Sequence, residues 1–174
     1  MQVEIFTEDS GTTIEPGSVE QIREYFDGNF RSVKTLAREI EEVGDVTIHI
    51  LSGDYGYLVG SDPVSKLNSS DSNQSQDDFE CALLRASTTA DIIVILLTQS
   101  TFEKIVAPNW ENLVSNANKD SIWCLGASES ALSSVNIETI RRNIESLILY
   151  QRLGVARIDT STKQDLIDAA TNWR

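Results

Sequence analysis

The residues best suited to chemistry fall in two short stretches, Thr7-Glu8-Asp9-Ser10-Gly11 and Ser52-Gly53-Asp54-Tyr55-Gly56. In the second, two glycines bracket an acid and a tyrosine. Glycine lets a backbone approach a ligand closely. A tyrosine on such a loop can stack on a flat ligand or donate its hydroxyl. The same pattern also fits a glycine-rich turn whose tyrosines pack on the edge of a sheet. Glu8, Asp9 and Asp54 are oxygen donors of the kind that hold Mg²⁺. In a chain with 27 acidic residues such neighbours arise by chance, and no metal is assigned. The candidate ligand-binding set is therefore Ser52, Asp54, Tyr55 and Gly56 with Glu8 or Asp9. No catalytic residue and no cofactor is specified.

Other chemistries lack parts. Gly126-Ala127-Ser128-Glu129-Ser130 approaches the G-x-S-x-G nucleophile elbow, but its last glycine is a serine. The single histidine, His49, precedes Ser128, whereas the elbow's histidine comes last in the chain. His49 reads as a strand residue. No G-x-G-x-x-G and no G-x-x-x-x-G-K-[ST] is present, so dinucleotide and P-loop binding of the usual kinds are unsupported. Two cysteines, Cys81 and Cys124, and one histidine fall short of a structural zinc set. Both cysteines read as free core thiols.

The elements that must position the candidates follow from periodicity. Met1 to Phe6 alternates and reads as a strand. Ser18 with Gln21 forms a capping-box pattern ahead of Val19, Ile22 and Phe26. Val33, Leu36, Ala37, Ile40 and Val43 lie on one helical stripe. Val46 to Leu51 is a second strand. Ser52 to Ser75 reads as a long irregular stretch, its last part polar and low in complexity, either a mobile loop or a partly disordered one. Asp77 to Ser87 is helical. Asp91 to Leu97 is apolar on both faces, as a central strand requires. A helix capped by Ser100 or Thr101 follows, with Pro108 placed to break it. Ser121 to Gly126 is a strand, Val135 to Leu153 a long amphipathic helix, Val155 to Ile158 a short fifth strand, and a last helix starts at Ser161 or Thr162.

Strand and helix alternate throughout. That predicts a single α/β domain over 1–174, a three-layer sandwich around a mainly parallel five-stranded sheet, flavodoxin-like or Rossmann-like. In such sheets ligands bind outside the carboxyl ends of the strands, at the switch point. Both candidate stretches fall at strand ends. The loops at Thr98-Gln99-Ser100 and Asp159-Thr160-Ser161 are polar in the way turns and helix caps always are.

Composition narrows the partners. A formal net charge of −13 opposes binding to nucleic acid or an anionic membrane. Lysine is scarce, at five residues. The acid excess fits either a halophilic protein, its self-repulsion screened by salt, or an ordinary acidic one. The N-terminus carries no signal-peptide pattern, and the longest apolar run, Ile92 to Leu97, is too short to span a bilayer. The expected location is the cytoplasm.

Ile50-Leu51-Ser52-Gly53-Asp54-Tyr55-Gly56-Tyr57-Leu58 resembles the L-S-A-x-Y-G-L element of a family of small uncharacterised α/β proteins. That family is distantly similar to uracil-DNA-glycosylase-like domains. The resemblance covers roughly residues 30 to 63 and rests on Ser52, Tyr55 and Gly56. It implies a nucleoside-type ligand at the strand ends. This chain carries Thr7-Glu8-Asp9-Ser10 where the family has a Cys- and Lys-containing motif, and Asp54 where the family tends to be basic. Both changes put negative charge in place of positive, against a nucleic-acid substrate. Two functions follow as expectations: a small-ligand site at the strand ends, enzymatic or not, and a non-catalytic interaction module with a protein partner or a second copy.

Overall fold

The computed structural model describes residues 1–68, 76–151 and 158–173. Six strands form one sheet in the order β3-β2-β1-β4-β5-β6. They are β1 (Gln2–Glu8), β2 (Asp45–Ser52), β3 (Gly56–Val59), β4 (Ile92–Leu96), β5 (Ile122–Ala127) and β6 (Ser146–Gln151). All neighbours are parallel except β2 and β3, an antiparallel hairpin. The chain leaves β1 toward one side of the sheet and returns to its other side at β4, so the reversal of strand order lies between β1 and β4.

Eight α-helical segments accompany the sheet among the described residues: α1 (Ile22–Tyr25), α2 (Arg31–Ile40), α3 (Gln76–Thr89), α4 (Gln99–Thr101), α5 (Ala107–Ser115), α6 (Glu129–Ser133), α7 (Ile137–Arg141) and α8 (Thr160–Thr171). Period-2 alternation sends Val3, Ile5, Ile48, Ile50, Ile92, Val94 and Cys124 to one face, where α1, α2 and α8 cover them. Phe6, Ile93, Ile95, Trp123 and Leu125 point to the other face, under α3, α5 and α7. Every residue of β4 is buried, as its unbroken apolar run requires. Full burial of side chains such as Phe6, Phe79 and Trp123 contributes roughly 2–3 kcal/mol each.

The sheet differs from expectation in three places. First, the hairpin strand β3 lies in what reads as an irregular stretch; with β6 it joins four strands that match expectation, for six in all. It is short, and its turn residues dominate the local sequence. Second, α7 ends at Arg141, and Ser146–Gln151 of the expected long helix is strand β6. Ile140, Ile144, Leu147 and Ile148 match a helical stripe by coincidence. The contiguous Leu147-Ile148-Leu149-Tyr150 run is a strand pressed between α7 and α8. Third, the expected strand Val155 to Ile158 falls largely outside the described residues; Ile158 is buried coil. The expected loop around Ser69 to Ser75 lies outside them too.

Local corrections are smaller. Ser18 ends a 3₁₀ turn and its hydroxyl donates to the Glu15 carbonyl, so it caps no helix. The helix after β4 is capped by Thr98. It absorbs Pro108 by passing through a π-helical turn (Phe102–Val106) just before α5. Cys124 is buried and its thiol is pushed up to about 12 by that burial. Cys81 is exposed rather than core, because the stripe of Phe79, Ala82, Leu83 and Ala86 turns it outward. Among the described residues no helix is long and apolar enough to cross a membrane.

Candidate functional site

The candidate site is built from the carboxyl ends of β1 and β2. β2 turns into β3 through Gly53-Asp54-Tyr55, with Ser52 paired to Gly56 across the hairpin. Gly56 adopts φ +72°, a conformation that admits glycine freely and resists side chains. Ser52 holds the turn from beneath. Its hydroxyl accepts from the backbone N–H groups of Asp54 (3.3 Å) and Tyr55 (3.2 Å) and donates to Asp9 Oδ2 at 2.5 Å.

The second wall is the chain after β1. Residues 10–14 run beside 25–27, through hydrogen bonds from Ile14 N to Tyr25 O and from Asp27 N to Thr12 O. The Ser10 hydroxyl donates to the Asp27 carbonyl at 2.5 Å. Gly28, at φ +58°, turns the chain against the Thr12 side chain and into α2. This places Tyr25 and Phe26 opposite the hairpin. The Tyr25 and Tyr55 hydroxyls meet at 3.3 Å, their rings edge to face.

Between the two walls is a hollow of about 330 Å³, with Asp9, Asp54, Tyr25, Tyr55, Phe26 and Thr13 among its lining residues. That volume is at the lower end of small-molecule sites. A larger hollow, about 630 Å³, lies at the amino ends of β5 and β6 beside Trp173. Parallel sheets place ligands at the opposite end.

The site is electrostatically negative. Burial pushes the Asp9 carboxyl above its ordinary range. The Ser52 hydrogen bond opposes that shift, and the charges of Asp54 and Glu8 reinforce it. The hydrogen bond with Tyr25 raises the Tyr55 hydroxyl, and burial adds to it. Either phenol can be the donor in the hydrogen bond between them.

Of the six candidates, Asp9, Asp54 and Tyr55 line the hollow. Ser52 and Gly56 shape the turn without lining it. Glu8 turns away to the β1/β4 reversal. There its carboxylate accepts from Thr98 N (2.5 Å), the Thr98 hydroxyl (3.0 Å) and the Thr101 hydroxyl. Among the described residues no group of three or more His, Cys, Asp and Glu side chains is arranged to hold a metal ion. Tyr25, Phe26 and Thr13 are the residues that sequence reasoning missed. The Tyr25-Phe26 pair just ahead of the Asp27-Gly28 break was the available signal.

The remaining motifs are structural. Ser128 caps α6 by accepting from Ala131 N, and its hydroxyl lies 3.3 Å from Gln99 Oε1. Asp159 caps α8 by accepting from Thr162 N at 2.8 Å. His49 is buried in β2, with Nε2 2.6 Å from Glu4 Oε2 and Nδ1 2.7 Å from the Tyr57 hydroxyl. It is committed to those partners and stacked on Phe6, so no base is available to Ser128. Comparison with family models, curated proteins and solved structures found no match.

Proposed function

We propose that this chain binds a small, flat, hydroxyl-bearing ligand of nucleoside type in the hollow at the carboxyl ends of β1 and β2. The observation that carries this reading is the pairing of carboxylates with phenol rings around one cavity. Asp9 and Asp54 supply acceptors for a vicinal diol or an amine. Tyr55 and Tyr25 supply ring edges, faces and hydroxyls for a planar group. The order β2-β1-β4-β5-β6 of the parallel strands is that of flavodoxin-like sheets, which bind ligands at this end. The L-S-x-x-Y-G resemblance points to the same ligand class. Ser52 donates to Asp9 beside the hollow, but its hydroxyl also accepts from two backbone N–H groups and does not line the hollow, so the reading is one of binding, with any chemistry left to the ligand.

Isothermal calorimetry with adenosine, uridine, guanosine and cytidine tests it. Saturable heat with at least one of them is expected, weakened about tenfold or more by Tyr55→Ala, the loss of one stacked ring. Unchanged binding by that variant would remove the hollow from consideration.

A second reading, a non-catalytic interaction module, is favoured by one observation. β6 pairs with β5 on one edge, and its other edge has no strand neighbour among the described residues. Leu149 on it is 38% exposed. Uncharged edge strands accept added strands from partners. A strict monomer with no co-purifying protein, measured by light scattering, would count against this reading.

A further inference from the structure

The proposed site sits beside a second cluster of hydrogen-bond donors, and the two together set the charge of what can bind. In open parallel sheets the reversal of strand order, here between β1 and β4, is where a ligand's anionic group is normally received, at the start of the helix that follows. In this chain that position is already filled from within. Glu8 lays its carboxylate across Thr98 N and the hydroxyls of Thr98 and Thr101. The donors a phosphate would use are spent on a side chain.

One residue further along, Asp9 faces the hollow on the other side of β1, with Asp54 on the hairpin turn across from it. Among the described residues no lysine or arginine lines the hollow. Two cations of α2 are engaged elsewhere: Arg31 is held by Asp27 at 2.5 and 2.7 Å, and Lys34 lies 3.9 Å from Asp27 and Glu24. An entering phosphate would therefore meet two carboxylates, with Glu8 near Asp9 and no counter-charge among the described lining residues.

Resting on the nucleoside-type reading above, we infer that this site is a charge filter: it accepts the nucleoside and rejects the corresponding nucleotide, with Asp9 and Asp54 repelling the phosphate and Glu8 occupying the donors that would otherwise hold it. The discrimination is electrostatic rather than steric, since the hollow opens to solvent beside the exposed Asp54. It must then weaken with salt, because the screening length falls from about 10 Å at 0.1 M to about 3 Å at 1 M.

The test is calorimetry on the full chain with adenosine against AMP and uridine against UMP, in about 0.1 M and about 1 M KCl. At low salt the nucleoside is expected to bind at least about tenfold more tightly than its monophosphate. The ratio should fall severalfold at high salt, and Asp54→Asn should lower it at low salt. Equal binding of nucleoside and monophosphate at low salt would overturn the filter while leaving the site itself in place. A ratio that salt does not move would assign the discrimination to shape and overturn the filter as well. Binding of neither ligand class would remove the nucleoside-type reading, and the filter with it.

Discussion

Two polar clusters lie a few residues apart on the same three strands, and they are built to opposite ends. Glu4, His49 and Tyr57 stand on β1, β2 and β3 within the sheet and are nearly sealed from solvent. Asp9, Asp54 and Tyr55 stand just beyond β1 and β2 and line the hollow. In the inner cluster every polar atom has a partner. Gln2 donates to Glu4 Oε1 at 2.7 Å, and the His49 ring joins Glu4 to Tyr57. Burial pushes the Tyr57 phenol up to about 12, so it stays a donor. The arrangement on a neutral ring that satisfies all three has Nε2–H donating to Glu4 and Tyr57 O–H donating to Nδ1. In the outer cluster Asp54 is exposed and Asp9 half-buried, and both line the hollow. Closed networks specify a fold, and open ones are available to a ligand.

Substitutions should separate the two. The largest effect is expected from His49→Ala, which strands the Glu4 carboxylate in the interior. It should cost about 3 kcal/mol in chemical denaturation and lower the melting midpoint by roughly 10 °C. Tyr57→Phe, which removes one hydrogen bond and leaves Nδ1 unpartnered, should cost about 1–2 kcal/mol in the same measurement. Asp159→Ala serves as a reference outside both clusters. Loss of its cap on α8 should cost about 1 kcal/mol.

The outer cluster should behave in the reverse way. Tyr55→Ala should change stability by less than about 1 kcal/mol while weakening ligand binding. Asp9→Asn carries the smallest and most diagnostic change. The folded-state pKa of Asp9 is raised, chiefly by burial. Its contribution to stability is therefore fully present below the ordinary carboxylate value and is lost as pH rises through the raised one. Asp9→Asn should match or exceed the wild type in stability at neutral pH and lose that advantage in acid. An Asp9→Asn protein that is less stable at pH 7 would mean that Asp9 belongs with the closed cluster.

The closed cluster also shows where sequence reading runs out. The Ile92-Ile93-Val94-Ile95-Leu96-Leu97 run announces a central strand because nothing but burial on both faces accommodates it. His49 was legible as a strand residue, but Glu4 and Tyr57 were not legible as its partners. Their meeting depends on the β1/β2 register and on a four-residue hairpin strand that turn residues conceal. In the outer site, Asp9, Asp54 and Tyr55 were legible from loop position and residue type. Tyr25 was not, because a one-turn helix carries no period. Glu8 was drawn away by Thr98, about 90 residues distant in sequence, an attraction no local pattern encodes. β6 was misread because four apolar residues happened to satisfy a helical spacing as well as a strand.

The central place of β1 has a consequence for the order in which the molecule comes into being. β1 precedes the other described elements in sequence, yet Val3 is paired with both Val46 and Ile92. A ribosome that has released β2 and β3 has supplied only one flank of the strand. The other stays open until Ile92–Leu96 follows, a wait on the order of a few seconds. The core face to which Val3 and Ile5 belong also includes Leu166 and Ala170 of α8, which follow later still. β1 thus waits for a strand made about 80 residues later, and until then the nascent chain carries one apolar edge unpaired.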